Sequence, residues 1–350
     1  MKSSKIVVIC RRILFLAVVC ACFFWTDMCF RHKSRYRRMV STFLSEPCNS
    51  YDVIALGSSH LYCSFNPNEL YRKYKIRSFA LATRQQPPAI SYGYLKMAME
   101  RHHPSVVLLE TFMFAGSGGS APVGDGVAHD SLDPVPLGFE KIGMIKSVKH
   151  EGAIEDYLFP FIKYHSRWKE LQRKDFDGDH IWGRRDYFRG YKPFFTKTNV
   201  KIKSVALLDY SPVPLLQEEA NWLGQIKEYV ESHGARLVLI MAPYKASVCG
   251  YGRQRCLDEY AQVNGLLNIN MNCLYDTIGF NGSSDFFDQG HLNVFGAEKA
   301  TEYIGSRLVE MCNRQDDAID KGKESIWRED LEAYDRYKAY FLGKGKGMAD

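Results

Sequence analysis

Short apolar runs alternate with helical patterns over two stretches of this chain. Asp52–Leu56, Arg77–Ala82 and Ser105–Glu110 are brief, mostly apolar, and bounded by Gly, Pro or polar clusters. Such runs fit strands buried on both faces. Between them, Asn66–Tyr74 carries a capping Asn, an early proline and helix-forming residues. Pro88–His103 sets Ile90, Tyr94, Leu95, Met97 and Ala98 at helical spacing, and Pro104 ends it. The alternation resumes after residue 210. It runs through a helix Pro214–His233 with Gly234 as its C-cap, a strand Arg236–Met241, and a helix Cys256–Leu267. A short strand Cys273–Thr277, a loop Asp285–Gly296 and a helix Ala297–Met311 follow.

This order predicts an α/β fold, a three-layer α/β/α sandwich around a mainly parallel, flavodoxin-like sheet. The domain spans 51–313. Residues 112–210 interrupt it. Gly116-Ser-Gly-Gly119 and Gly124-Asp-Gly126 suggest a flexible loop, and an aromatic, mixed-charge region from Tyr157 to Phe195 follows. We read 112–210 as an insertion over the sheet edge that carries the loops. The tail, 314–350, is charged and partly helical: Ser325–Phe341 sets Trp327, Leu331, Tyr334 and Phe341 on one face. No internal repeat is visible.

Charge changes the picture at one end only. The net charge is +6, yet residues 1–38 alone carry +8 and the rest −2. The nearly neutral body gives no support for nucleic-acid binding. Within 1–38, Ile13–Phe30 is apolar except for Thr26 and Asp27, close to the ~20 residues a membrane-spanning helix needs. A single N-terminal anchor with basic flanks, followed by a tether over 39–50, is the expectation. A secretory signal peptide is the alternative, and Val19-Cys20-Ala21-Cys22 makes a poor lipoprotein-like box. Basic residues flank both sides of the span, so charge is nearly balanced and leans toward a cytoplasmic body.

Of ten cysteines, none shows metal-ligand spacing. Cys249 and Cys256 close a small disulfide loop if the body is outside the cell; two free thiols are the equal alternative. No cofactor or metal is indicated.

The candidate chemistry lies in Gly57-Ser-Ser-His60, just after the first apolar run, and in Asp288-Gln-Gly-His291 near the end. A serine hydroxyl needs a histidine to take its proton and a carboxylate to fix the histidine tautomer. In an open α/β sheet both loops fall on the same sheet edge. Ser59, His291 and Asp288 are therefore the candidate nucleophile, base and orienting acid, with Asp285 as an alternative orienting acid. Ser59 also has a structural reading, as a turn serine capping the next helix. His60 reads as a residue of the helix start.

Gly-x-Ser after the first strand, with Asp-x-x-His before the last helix, resembles the SGNH (GDSL-like) hydrolase superfamily. Gly57-Ser58-Ser59 stands where that family has Gly-Asp-Ser. The resemblance covers about 50–111 and 211–313. With its anchor and insertion, the chain is similar to bacterial membrane-anchored members, relatives of the alginate O-acetylation proteins and of the D-alanyl transfer protein of teichoic acids. The resemblance implies an oxyanion hole from Ser59, from Ala82 in place of the family glycine, and from Thr111 or an insertion group in place of the family asparagine. It implies a serine esterase or O-acyltransferase acting on acyl esters of a cell-surface glycan, an extracytoplasmic body, and a polytopic membrane acyltransferase as partner. His165 and Arg167 are candidate substrate contacts. Two other functions remain open: a non-catalytic, membrane-tethered glycan-binding or assembly protein, and a flavodoxin-like nucleotide binder. Gly-Ser-Ser-His, with one glycine and no lysine, is a poor phosphate loop.

Overall fold

Five short strands pair in parallel: β1 (Val53–Gly57), β2 (Ser78–Ala82), β3 (Val106–Glu110), β4 (Arg236–Met241) and β5 (Leu267–Asn270), in the order β2-β1-β3-β4-β5. This is the flavodoxin-like order. The computed structural model describes residues 2–31, 34–115, 123–148, 150–177, 185–312 and 321–344. Every residue of β1, β2 and β3 is buried, as a sheet covered on both faces requires. Register sets Gly57 opposite Ala82 and Glu110 opposite Ile240, so three strand ends share one rim.

The helices are α1 (Lys2–Phe30), α2 (Arg35–Ser45), α3 (Ser59–Ser64), α4 (Pro67–Tyr74), α5 (Pro88–Arg101), α6 (Phe112–Ala115), α7 (Asp125–Leu132) and α8 (Phe139–Ser147). After them come α9 (Ile154–Leu158), α10 (Pro160–Tyr164), α11 (Gln217–Ser232), α12 (Val248–Val263), α13 (Tyr275–Ile278), α14 (Val294–Leu308) and α15 (Lys321–Lys344). Strand residues alternate between two cores. Ile54, Leu56, Phe79, Leu81, Val107 and Leu109 pack under α2, α5, α11 and α12. Val53, Ala55, Ala80, Val106 and Leu108 pack under α3, α4 and α14. Asn66 caps α4 through Asn68 N–H, and Pro67 follows where a missing N–H costs nothing.

The structure departs from the sequence reading in four places. Residues 35–45 form α2 rather than belonging to an anchor flank and a tether, and Met39, Val40 and Phe43 are fully buried beneath it. The fifth strand is Leu267–Asn270. Tyr275–Ile278, which overlaps the expected strand Cys273–Thr277, is helical. Cys249 and Cys256 are both free and lie on α12, about 10 Å apart along the axis, beyond disulfide reach. Asp125–Leu132 is a helix rather than loop, while Gly116–Gly119 lies outside the described residues.

The tail holds α15, with Trp327 and Tyr334 buried. Asp330 is fully buried between Arg185, at 2.9 Å, and Arg189, at 2.5 Å, and the Arg189 guanidinium sits 3.5 Å from the Trp327 ring centroid. Those charges need one another in a dry site. At the other end, Lys5–Phe30 is long and apolar enough to cross a membrane.

Candidate functional site

Gly57 ends β1 where β3 comes close. A Cβ there would stand 2.5 Å from Glu110 Cβ, so only glycine fits. The chain then turns into α3. Ser58 is its N-cap, accepting from His60 N–H, and Ser59 is its first residue. The two serines therefore point to different partners.

Ser58 faces inward. Its hydroxyl donates to Glu110 Oε2 at 2.7 Å, and its N–H donates to the same oxygen at 3.1 Å. Glu110 Oε1 accepts from Phe112 N–H at 2.5 Å. Burial pushes the Glu110 carboxyl above its ordinary range, and the hydrogen bonds from Ser58 and Phe112 only partly offset this.

Ser59 faces the rim and is half-buried. Its Oγ lies 2.9 Å from His291 Nε2, across 232 residues of chain. His291 Nδ1 lies 2.9 Å from both oxygens of Asp288. The network assigns the tautomer: Nδ1–H donates to Asp288, leaving Nε2 to accept from the Ser59 hydroxyl. Asp288 also accepts from the Gly290 and His291 backbone N–H groups, each at 2.8 Å. Partial burial pushes its carboxyl up. The His291 ring and those N–H groups outweigh that and hold it below its ordinary value.

The His291 loop is braced from three sides. Phe287 N–H donates to the His291 carbonyl at 2.9 Å. Asn293, fully buried, caps α14 and donates to Ser284 O at 2.7 Å. The segment 194–198 clasps the loop through Thr198 N–H to Phe286 O, 2.9 Å, and through Phe194 stacked on Phe287 at 4.0 Å. Asp285 is spent on this frame, bonded to Lys299 at 2.7 Å and to Asn281 N–H at 2.8 Å, and so does not orient His291.

His60 contributes more than a helix start. Its ring is stacked 3.8 Å from Phe112 and stands 4.8 Å from the His291 ring, with Tyr244 edge-on at 5.3 Å. Burial, reinforced by His291 and opposed by Asp288, lowers its pKa well below the ordinary histidine value, so it is neutral. Gly290 adjoins it: a Cβ there would be in ordinary contact with His60 Cε1 at 3.4 Å. The only hint of this in the sequence is that His60 adjoins Ser59.

Four expected residues sit elsewhere or are otherwise engaged. The Thr111 hydroxyl donates to Ile240 O at 3.1 Å and its N–H donates to the same oxygen at 2.9 Å, so neither is free for an oxyanion. Ala82 is paired in the sheet opposite Gly57, with no exposed surface. Of the three expected donors, the Ser59 N–H remains. Arg167 donates to Phe30 O at 2.5 Å and Arg31 O at 2.9 Å, and pairs with Asp175; it closes the end of α1. His165 is exposed, its Nδ1 against Ile162 O. A cleft of about 290 Å³ is lined by Arg31, Arg84, Asp125, His129 and Lys163, among others, and not by Ser59 or His291. Its charges pair with one another: Arg84 with Asp130, Lys163 with Asp125, His129 with Asp133. Among the described residues no cluster suited to a metal ion is present.

The fold and the rim define an α/β protein with a Ser-His-Asp constellation at the carboxyl edge of a flavodoxin-like sheet. No family model matches the chain, and no curated protein matches it. Among solved structures it is similar to a protein of Desulfitobacterium hafniense DCB-2, provisionally described as a lipolytic protein of the G-D-S-L family. That likeness has 11% identity and a TM-score of 0.36, covering 73% of this chain and 97% of the other. At so loose a superposition, nothing about substrate or mechanism transfers.

Proposed function

We propose that the protein is a serine-dependent ester hydrolase or O-acyltransferase, with Ser59 as nucleophile, His291 as base and Asp288 orienting it. The reading is carried by the 2.9 Å approach of Ser59 Oγ to His291 Nε2, with Asp288 on the far ring nitrogen. Ser59 Oγ attacks an acyl carbonyl as its proton passes to Nε2. The tetrahedral intermediate collapses, Nε2 gives the proton to the departing alkoxide, and acyl-Ser59 remains. Water or a sugar hydroxyl then takes the acyl group by the reverse proton path. An acyl ester of a cell-surface glycan as substrate, an extracytoplasmic body and a polytopic membrane acyltransferase as partner follow from the resemblance to membrane-anchored SGNH proteins.

The test uses the full chain in detergent, because α2 is part of the core and a cut at residue 39 would split it. Fluorophosphonate labelling and p-nitrophenyl acetate turnover should be present in wild type and absent in Ser59→Ala. Equal labelling of the two would remove Ser59 from the mechanism.

The engaged Thr111 hydroxyl and the enclosed Ala82 favour a second reading, a non-catalytic glycan-binding or assembly protein. Loss of one oxyanion donor costs about 10²–10³ in rate. Glycan binding that survives Ser59→Ala and His291→Ala, with no ester turnover in wild type, selects it. A nucleotide site is disfavoured, because Glu110 already takes the Ser58 N–H that a phosphate in this turn would need.

A further inference from the structure

We propose that the α9–α10 hairpin of the insertion lies in the lipid bilayer beside α1, as a second, non-spanning membrane contact. This rests on reading α1 as a membrane span. Phe159 and Phe161 pack edge-to-face on Phe23 at 5.8 Å and 6.1 Å, and Phe161 also meets Phe30 at 5.2 Å. Phe23 lies seven residues before the end of α1, about 10 Å back along its axis. The hairpin therefore reaches a level of α1 whose side chains face lipid if α1 spans.

The same segment satisfies the polar end of α1. Asp27 accepts from Phe161 N–H at 2.8 Å and from Arg31 Nε at 3.1 Å, while Arg167 takes the Phe30 and Arg31 carbonyls. Met28 and Cys29 are buried there. Removing α1 as a signal sequence would strip these partners, so the folded body is built to keep it.

The exposed side of the hairpin mixes apolar Ile154, Phe159 and Ile162 with Glu155 and Lys163. Phe159 and Ile162 are exposed, and Trp168, in the tight turn that follows, is 63% exposed with Lys169 over its ring. They continue the exposed apolar surface of α1, which includes Phe24 and Trp25. In water such a patch is costly. An aromatic belt with a lysine at its edge suits the boundary between headgroups and acyl chains. Lipid is the occupant that continuity with α1 selects.

The experiment puts the full chain into phosphatidylcholine vesicles with and without brominated phosphatidylcholine, and adds one tryptophan by Ile162→Trp. The control is Leu208→Trp, at an exposed apolar site on the body. Emission added at 162 should fall by about half in brominated vesicles, as for a side chain ~5–10 Å into the boundary, and emission added at 208 should not change. Unquenched emission at 162, in vesicles that retain the chain through an alkaline carbonate wash, overturns the hairpin proposal and leaves α1 as sole anchor. It would mean that protein, not lipid, covers the hairpin. Release of wild type by the carbonate wash overturns the membrane reading itself.

Discussion

Ser58 and Ser59 are chemically identical neighbours with opposite surroundings. Ser58 is sealed, its hydroxyl and N–H both committed to a buried carboxylate at 2.7 Å and 3.1 Å. Ser59 is half-open, and its hydroxyl meets a histidine ring held by a second carboxylate. One helical step separates a residue that holds the turn from one whose hydroxyl meets a histidine at the rim. The difference lies in the partner across the rim and not in the residue type.

The contrast breaks most sharply at the open serine. Ser59→Ala should remove esterase turnover by about 10⁴-fold or more with the thermal midpoint little changed, measured by p-nitrophenyl acetate kinetics and by melting. Asp288→Asn should lower kcat by about 10⁴-fold, because an amide no longer selects the Nδ1–H tautomer of His291. If the variant keeps wild-type kcat, the loop geometry alone orients the ring.

At the sealed serine the currency changes from rate to stability. Glu110→Ala strands the Ser58 and Phe112 donors in a buried space, and should cost about 3 kcal/mol in urea unfolding. Ser58→Ala removes a buried hydrogen bond to Glu110 and should cost about 1–2 kcal/mol, with kcat within a few-fold of wild type. A loss of turnover in Ser58→Ala comparable to that in Ser59→Ala would erase the distinction.

His60 sharpens the comparison through pH. Its folded pKa lies well below the unfolded value of 6.5, so the unfolded chain binds the extra proton. Its contribution to stability is therefore full above pH 6.5 and lost as pH falls below it, with a slope of at most about 1.4 kcal/mol per pH unit. His60→Phe keeps the stacking on Phe112 and should flatten this part of the profile, read from urea midpoints at pH 7 and pH 5.5.

Much of the sheet was legible because buried parallel strands advertise themselves. Val53–Gly57 and Val106–Glu110 each fall within one residue of the apolar run that marks them. The meeting of Ser59 with His291 was legible for the same reason, since both loops leave one sheet edge. β5 was hidden because Leu267-Asn-Ile-Asn270 has loop-like polarity. Asn270 and Asn272 are buried with partners: both donate to Gln254 Oε1, at 3.0 Å and 3.2 Å, and Asn272 accepts from Tyr244 N–H at 3.0 Å, a tertiary compensation that no local pattern shows. α2 did carry a signal: Tyr36, Met39, Val40 and Phe43 fall at helical spacing. The basic cluster beside them pointed to a membrane flank instead. The oxyanion assignment depended on which way Thr111 turns, and that depends on the Ile240 carbonyl of a strand over a hundred residues later.

The serine and its histidine stand 232 positions apart, with Ser59 near the start and His291 near the end of the folded body. During translation Ser59 leaves the ribosome long before His291 exists. On the proposed chemistry, a nascent chain that stops before His291 therefore carries an inert hydroxyl, and the pair is complete only once residue 291 has been made and folded against α3.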